Sequence, residues 1–394
     1  MTFLQAVSLL ILCLILFWIL YHTPLMLAGS RSSNMRRRVE EQGELPRISV
    51  IIPARDESKV IGRCIKSILE CNYPRDMIEL IVVDGSSDSS TADVCRSYGI
   101  KVIKEENPRG KPAALNLGLK HASGDIIAVF DADSVVERDC LTRAAAYFRN
   151  GTVAVQGRNR YLNKDQNVLS TLVYFEQEAW QRLIISGRDK FGLFVPFLGS
   201  CLFVRRKTLE ELGGWDESSL AEDVELAARL LLRNIKVKYA EDVISWQEAP
   251  SKLKSLIRQR LRWYRGYIET SMKYIKLLKN PSFAAFDAEI FLLGPIFMAF
   301  SLLGYVCWIA SMVYPISDII LEIIGSILGA VTVLSVVFSL SALERSLSPT
   351  NLLLIPIIYV YWMIQSSIAM KSLLDSILRR PRVWRRTEKY GWSP

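Results

Sequence analysis

The stretch ISVIIPARDES (residues 48–58) is an apolar, β-branched run that breaks at a proline and turns abruptly polar. A run of this kind without polar alternation suits a strand buried on both faces. The same pattern returns in ELIVVD (79–84), IKVIKE (100–105) and DIIAVFD (125–131). Helical spacing fills the gaps. Between Glu57 and Glu70 the apolar residues Val60, Ile61, Cys64, Ile65 and Ile68 share one face, Thr91 to Tyr98 is long enough for a short helix, and Pro112 opens a helix running to Ala122. Apolar strands alternating with helices predict an α/β domain with a parallel sheet covered on both sides. Ligands of such sheets bind beyond the carboxyl ends of the strands, so the residues that follow each strand are the ones to inspect.

The rest of the 394-residue chain divides by composition. Residues 3–28 carry no Lys, Arg, Asp or Glu, and a bilayer core needs only about 20 apolar residues. An uncleaved anchor over 1–30 is expected, because a secretory signal would have a basic start and a shorter apolar run. Arg31, Arg36, Arg37 and Arg38 follow it. Basic residues beside a span favour the cytoplasmic side, which places the next domain in the cytosol. From 283 to 378 charge nearly vanishes, with apolar stretches at Phe286 to Met312, Ile316 to Leu343 and Leu352 to Leu374. Three crossings would leave the basic tail RRPRVWRRTEKYGW (379–392) outside, so either one segment is re-entrant or interfacial or a boundary of these stretches lies elsewhere. The last, with Pro356, Gln365, Lys371 and Asp375, is the candidate. The expected organisation is an anchor (1–30), a cytosolic domain (45–250), amphipathic interface helices (251–282), a membrane region (283–378) and a cytosolic or interfacial tail (379–394).

The net charge of +9 would also suit nucleic acid. Its excess lies beside the apolar stretches, at 31–38, 252–279 and 379–389. Anionic lipid head groups explain that distribution more simply, and no nucleic acid is expected as a partner. Seven cysteines without paired C-x-x-C spacing read as reduced thiols.

His22 and His121 are the sole histidines. Imidazole metal sites and Ser-His-Asp catalysis are therefore not expected, and acid–base work falls to carboxylates. Asp84 closes the second strand, and Asp131 and Asp133 follow the fourth. An Asp-x-Asp at a strand end can offer oxygens to a hard cation that also holds a diphosphate, although aspartates also serve simply to end strands. NPRGKPAALNLG (107–118) places Arg109 and Lys111 at a helix start, a position that favours phosphate. The residues G-x-x-x-x-G-K-[ST] of a P-loop are not there. In GGWDESSLAEDVELAARLLLRN (213–234), Glu222 and Asp223 open an amphipathic helix, where capping alone would also favour acids.

The stretch DVISWQEAPSKLKSLIRQRLRWYRG (242–266) borders the apolar region. If Leu253 to Tyr267 is helical, Gln259, Arg262 and Trp263 stand at i, i+3 and i+4 and share a face. An amide, a guanidinium and an indole suit hydroxyls, a diphosphate and a stacked sugar ring. An interfacial helix with Arg and Lys toward head groups fits the same residues.

Taken in order, PARDES (53–58), VVDGSSD (82–88), GKPAALN (110–116), DAD (131–133), LGS (198–200), GGWDE followed by AED (213–223), and QRLRW (259–263) resemble the membrane-integrated, processive family 2 glycosyltransferases, which include cellulose, hyaluronan and poly-N-acetylglucosamine synthases. The resemblance runs from about residue 47 to 266. It implies a GT-A (Rossmann-like) fold and an inverting transferase that uses a nucleotide-diphosphate sugar, usually a UDP-sugar, with Mg2+ or Mn2+. By the same resemblance Asp84, Lys111, Asp131 and Asp133 serve the nucleotide sugar, with Asp131 and Asp133 also on the metal. Asp223 is the general base, with Glu222 beside it. Gln259, Arg262 and Trp263 border the diphosphate, Trp263 also borders the acceptor's terminal sugar, and Gly199 and Ser200 line the acceptor site. The chain has Val83 before Asp84 where the family often has two acids, which puts more of the nucleotide contact on Asp84.

The function expected is elongation and export of a β-linked polysaccharide from a plasma-membrane protein with several spans and a cytosolic catalytic domain. A homo-oligomer or an accessory export subunit could complete it. The competing expectation is transfer of a single sugar to a lipid acceptor, and the third is an inactive sugar-binding subunit, which the four aspartates Asp84, Asp131, Asp133 and Asp223 argue against.

Overall fold

The computed structural model describes residues 3–31, 44–149, 151–275, 282–313, 336, 355–382 and 391. Eight strands form one sheet: β1 (Ile48–Ala54), β2 (Ile78–Asp84), β3 (Val102–Lys104), β4 (Ile126–Val129), β5 (Val135–Val136), β6 (Ala154–Tyr161), β7 (Leu202–Arg205) and β8 (Val237–Gln247), in the order β3-β2-β1-β4-β7-β6-β8-β5. The half read from the periodicity is parallel: β2 and β4 both run alongside β1, and β3 alongside β2. Beyond β4 the sheet becomes mixed, because β7 lies antiparallel to both β4 and β6, and β5 antiparallel to β8. The all-parallel expectation therefore holds for half the sheet.

Helices cover both faces. One face of the sheet packs against α2 (Ile61–Leu69), α3 (Ser90–Ser97) and α5 (Cys140–Arg149), burying Ile61, Cys64, Ile65 and Ile68 against Ile48, Val50 and Ile52. The other receives α4 (Lys111–Lys120) and α9 (Glu222–Leu232). α2 starts later than its apolar spacing predicts. Asp56 holds a left-handed φ of 54° and the amides of Val60 and Ile61 both bond the Glu57 carbonyl, so residues 57–60 form a turn before the helix.

Between β6 and β7 the chain runs through α6 (Val168–Ala179), a π-helical turn (Trp180–Ile185) and α7 (Ser186–Lys190), followed after β7 by α8 (Arg206–Glu211). α6 is capped by Asn167, whose side chain accepts from the Ser170 amide while Ser170 bonds back.

The amphipathic α10 (Leu253–Tyr274) borders the apolar parts, which are α1 (Phe3–Ser30), α11 (Phe283–Leu292), α12 (Gly294–Val313) and α13 (Ile355–Ile377). Among the described residues two helical segments, Leu9–Ser30 and Pro356–Ile377, are long and apolar enough to cross a membrane. There would be three if the bent pair Phe283–Leu292 and Gly294–Leu303, which turns by 49°, counts as one. The break falls in this pair, not in the last stretch, where α13 is one continuous helix. Pro356 is tolerated there because it sits in the first turn, where its missing N–H has no helical partner anyway. α11 packs against the catalytic domain: Ala285, Ala288, Phe291 and Leu292 join the core cluster that holds β1, β4 and α9 side chains. The stretch from 316 to 343, expected as a further span, lies outside the described residues apart from residue 336.

α1 is tied to the domain at its end. Lys190 Nζ donates to the carbonyls of Ala28 (2.9 Å) and Arg31 (2.6 Å). Arg188, buried, pairs with Asp287 of α11 at 2.6 Å.

Candidate active site

The carboxyl ends of the parallel strands bring the expected residues together. Asp84 ends β2 opposite Ala54 of β1 and Lys104 of β3. Asp131 follows β4 on the other side of β1, so β1 separates the two aspartates. Asp84 is fully buried. Its Oδ1 accepts from the Ser86 amide (2.9 Å) and hydroxyl, whereas Oδ2 has no hydrogen-bond donor and stands 3.5 Å from Lys104 Nζ. A buried carboxylate oxygen left without a donor at the carboxyl end of the strands is a place for an incoming N–H or O–H group.

α4 carries Lys111 in its first turn. Gly110 precedes it with a φ of 110°, a left-handed conformation that glycine adopts without steric cost. Lys111 Nζ donates to Asp131 Oδ1 at 2.6 Å and to the Gly199 carbonyl at 2.8 Å, and lies 3.7 Å from Glu222. Burial works against its charge, but the carboxylates of Asp131 and Glu222 outweigh burial and hold its pKa above the ordinary lysine value. Asn116, further along α4, fixes the GGWDE turn: it accepts from the Trp215 amide and donates to the Trp215 carbonyl, both at 2.8 Å.

Asp223 sits in the first turn of α9. Burial is the main force on its carboxyl, the neighbouring Glu222 charge adds to it, and Lys111, the Val224 amide and Arg262 only partly offset them, so its pKa is pushed up to about 7. Gly199, with a φ of 79°, is the residue against which this acid stands: a β-carbon at 199 would lie 3.4 Å from Asp223 Oδ2 and 3.6 Å from Lys111 Nζ. The left-handed backbone there favours glycine, while the space beside it would admit a β-carbon at ordinary contact distance.

Asp131 and Asp133 differ. Asp131 keeps a third of its side chain exposed. Asp133 is buried, and its Oδ2 accepts from the Glu248 amide at 3.0 Å. Among the described residues no cluster of three or more His, Cys, Asp or Glu side chains forms a closed metal cage. A hard cation that keeps waters and takes substrate diphosphate oxygens needs only one or two carboxylates. The half-open Asp131, with Asp133 two residues away, therefore fits such an ion.

Ser200 departs from the expectation that it lines the acceptor site. It is fully buried; its hydroxyl accepts from the Asp131 amide (3.1 Å) and meets Ser134 Oγ (3.1 Å), so it braces the Asp-x-Asp turn. Two further residues hold this loop and were not singled out in the sequence. Gln156 accepts from the Leu198 amide (2.8 Å) and donates to the Ser200 carbonyl (2.9 Å), to which Asn159 Nδ2 also donates at 3.1 Å. Both lie on β6, whose apolar-poor sequence AVQGRNRY carries no motif that points to the loop.

α10 approaches the site through Gly266, where a β-carbon would fall 2.6 Å from the Ala221 Cβ. The motif residues on this helix do not all point the same way. Arg262 Nη1 donates to the Leu220 carbonyl at 3.2 Å, in the loop that leads to Asp223. Trp263 packs toward Ala299 of α12 and Ile368 and Ala369 of α13, its ring 4.3 Å from the Arg260 guanidinium carbon. Gln259 Oε1 is buried without a partner. Adjacent helical positions diverge by about 100°, so 262 and 263 cannot share one surface fully. Arg382, after α13, reaches the Ser218 carbonyl at 2.9 Å and Glu269 at 3.0 Å, so the start of the tail lies on the loop before Asp223.

Comparison with known proteins agrees with this geometry. The mannosyltransferase PcManGT from Pyrobaculum calidifontis, solved in complex with GDP-Man and Mn2+, superposes with a TM-score of 0.68 over 96% of this chain and 100% of that one; at 19% identity the likeness is one of fold. The chain is 32% identical over 285 residues to the probable glycosyltransferase YdaM of Bacillus subtilis (strain 168), 68% of each protein. It is 31% identical over 258 residues to the beta-monoglucosyldiacylglycerol synthase of Nostoc sp. (strain PCC 7120 / SAG 25.82 / UTEX 2576), covering 61% of this chain and 53% of that protein. It is 27% identical over 238 residues to the poly-beta-1,6-N-acetyl-D-glucosamine synthase of Staphylococcus epidermidis (strain ATCC 35984 / DSM 28319 / BCRC 17069 / CCUG 31568 / BM 3577 / RP62A), covering 59% and 57%. It thus spans little more than half the length of these last two. Residues 46–266 match the family model described as Glycosyltransferase like family 2, more than half of the chain, and with a GT-A-like mixed sheet carrying the motif residues at its strand ends, the protein is an enzyme belonging to the family 2 glycosyltransferases.

Proposed function

We propose that the protein is an inverting, membrane-bound transferase that passes a hexose from a UDP-sugar to the growing end of a β-linked glycan. The observation that carries this reading is the half-buried Asp223, held beside Gly199 and Lys111 with its pKa raised to about 7. A base works best when its pKa lies near the working pH. Asp223 takes the proton of an acceptor hydroxyl as that oxygen attacks the anomeric carbon, and the bond to the diphosphate breaks on the opposite face. Negative charge grows on the departing UDP, and Lys111 and Arg262 are placed to offset it. Asp84 receives the nucleoside, Gly199 gives the acceptor room beside the base, and Trp263 with Gln259 borders the acceptor. A Mg2+ or Mn2+ on Asp131 and Asp133 would neutralise the diphosphate when bound. The catalytic domain faces the cytosol, and the helices beside α10 guide the product across the plasma membrane, with further copies or an accessory subunit completing the path.

A second reading is transfer of one sugar to a lipid, favoured by the 31% identity to a beta-monoglucosyldiacylglycerol synthase. Sizing the product decides between them: the purified protein in nanodiscs is supplied with radiolabelled UDP-sugars and Mg2+ or Mn2+. A high-mass product or ladder from one donor supports glycan elongation. A single lipid-sized product moves the assignment to lipid glycosylation, and no transfer from any UDP-sugar would overturn both.

A further inference from the structure

The junction of α6, α10 and α13 holds a buried polar network that the transfer chemistry does not use. Arg260 Nη2 donates to Glu176 Oε2 at 2.5 Å, with the two side chains 5% and 19% exposed. Tyr361 donates to the same oxygen at 2.6 Å, and Gln365 Nε2 donates to Tyr361 Oη (2.8 Å) and to Glu176 Oε1 (3.3 Å). Tyr264 closes the set by donating to Gln365 Oε1 at 3.0 Å. Every member touches at least one other, and they come from three helices: Glu176 from α6, Arg260 and Tyr264 from α10, Tyr361 and Gln365 from α13.

The network ends on Trp263. The Arg260 guanidinium lies 4.3 Å from the centre of its ring, a separation at which a cation attracts the ring face. The hydrogen bond from Arg260 Nη2 to Glu176 restrains the guanidinium, and with it the indole that it lies against. Glu176 in turn is held from the other side by Tyr361 and Gln365, which belong to a candidate membrane span. Trp263 is only half-buried and packs against a cluster of Tyr264, Ala299, Ile368 and Ala369, so the guanidinium adds an electrostatic contact to that packing.

We propose that Glu176 and Arg260, braced by Tyr361 and Gln365, are positioning residues that set the Trp263 indole as the platform for the acceptor sugar and couple that platform to α13. This rests on the acceptor side of the function proposed above. It commits the membrane helix to a role in acceptor recognition while leaving donor binding to Asp84, Lys111 and the Asp131–Asp133 turn.

The test separates this inference from that reading. Glu176→Gln alone leaves a buried guanidinium without its counter-charge, so the double variant Glu176→Gln/Arg260→Met is made beside it; removing both charges together is the less disruptive change. Each protein is labelled with 5-fluorotryptophan, and the Trp263 resonance is assigned by its loss in Trp263→Phe. In nanodiscs, UDP release without acceptor and transfer to two acceptor probes, diacylglycerol and a β-linked tetrasaccharide, are measured with the productive UDP-sugar. The expected result for the double variant is a shifted or broadened Trp263 resonance, donor hydrolysis unchanged, and a ratio of transfer to hydrolysis about tenfold lower, as expected for loss of a cation–aromatic contact and ring order. An unmoved Trp263 resonance, or a wild-type ratio in the double variant, would overturn the proposal. Should the resonance move while Trp263→Ala leaves transfer intact, the acceptor role of Trp263 is what fails. Equal loss of hydrolysis and transfer would show a merely structural pair and also overturn it.

Discussion

Two charge clusters, one at the junction of α6, α10 and α13 and one in the cleft, are balanced differently. At the membrane side one guanidinium, Arg260, meets one carboxylate, Glu176, and the surrounding partners are hydroxyls and an amide. In the cleft one ammonium, Lys111, serves Asp131 and Glu222 directly, while Asp223 stands close by and is left with its pKa raised to about 7. A matched pair fixes geometry. A shortage of positive charge keeps one acid able to take a proton near neutral pH, and leaves room for the charge of a substrate and its cation.

The strongest way to break this contrast is to remove the unmatched acid. Asp223→Asn should lower transfer by about 100- to 10,000-fold, the usual cost of losing a general base, while calorimetry finds UDP affinity near wild type. Transfer within a few-fold of wild type would end the assignment of Asp223 as base. The same variant carries a stability signature. Because the folded-state pKa is raised, the native protein keeps a proton that the unfolded chain gives up, so stability falls as pH rises from the ordinary aspartate range through about 7. Asparagine has no such dependence, and Asp223→Asn should be the more denaturant-resistant protein at pH 8.

A smaller effect follows from removing the shared cation. Lys111→Met should weaken UDP-sugar binding about 10- to 100-fold, the range for a hydrogen bond involving a charged group. It should also raise the midpoint of the pH–rate profile above 7, since the Lys111 charge is one of the forces that lowers the Asp223 pKa. A midpoint unmoved by Lys111→Met would show that the two groups are not electrostatically linked. The mildest change, Glu222→Gln, acts in the opposite direction. Transfer in the wild type rises with pH through about 7 as Asp223 loses its proton; removing the Glu222 charge should shift that rise to lower pH, with a rate change below about tenfold at neutral pH. A profile that moves upward instead would contradict the charge balance described here.

The clusters also differ in how far they could be read in advance. The cleft residues announce themselves, because Asp84, Lys111, Asp131 and Asp223 sit at strand ends and helix starts, where a parallel sheet presents its ligands. Glu176, Tyr361 and Gln365 carried no signal of their kind. They are single polar residues on helices, separated by up to 189 positions, and became partners through packing. Ser200 was legible as a motif residue but not in its role, since burial of its hydroxyl against Asp131 and Ser134 depends on how β4 and β7 pair.

The sequence by itself determined the parallel strands β1 to β4, the helices between them, and which acids would meet at their ends, because burial periodicity and turn chemistry act over a few residues. Only the tertiary structure decided the mixed half of the sheet, the anchoring of α11 in the core, and which segments Arg262 and Trp263 each meet. Those depend on contacts between distant segments, such as the close approach of Gly266 to Ala221, for which neighbouring residues carry no record.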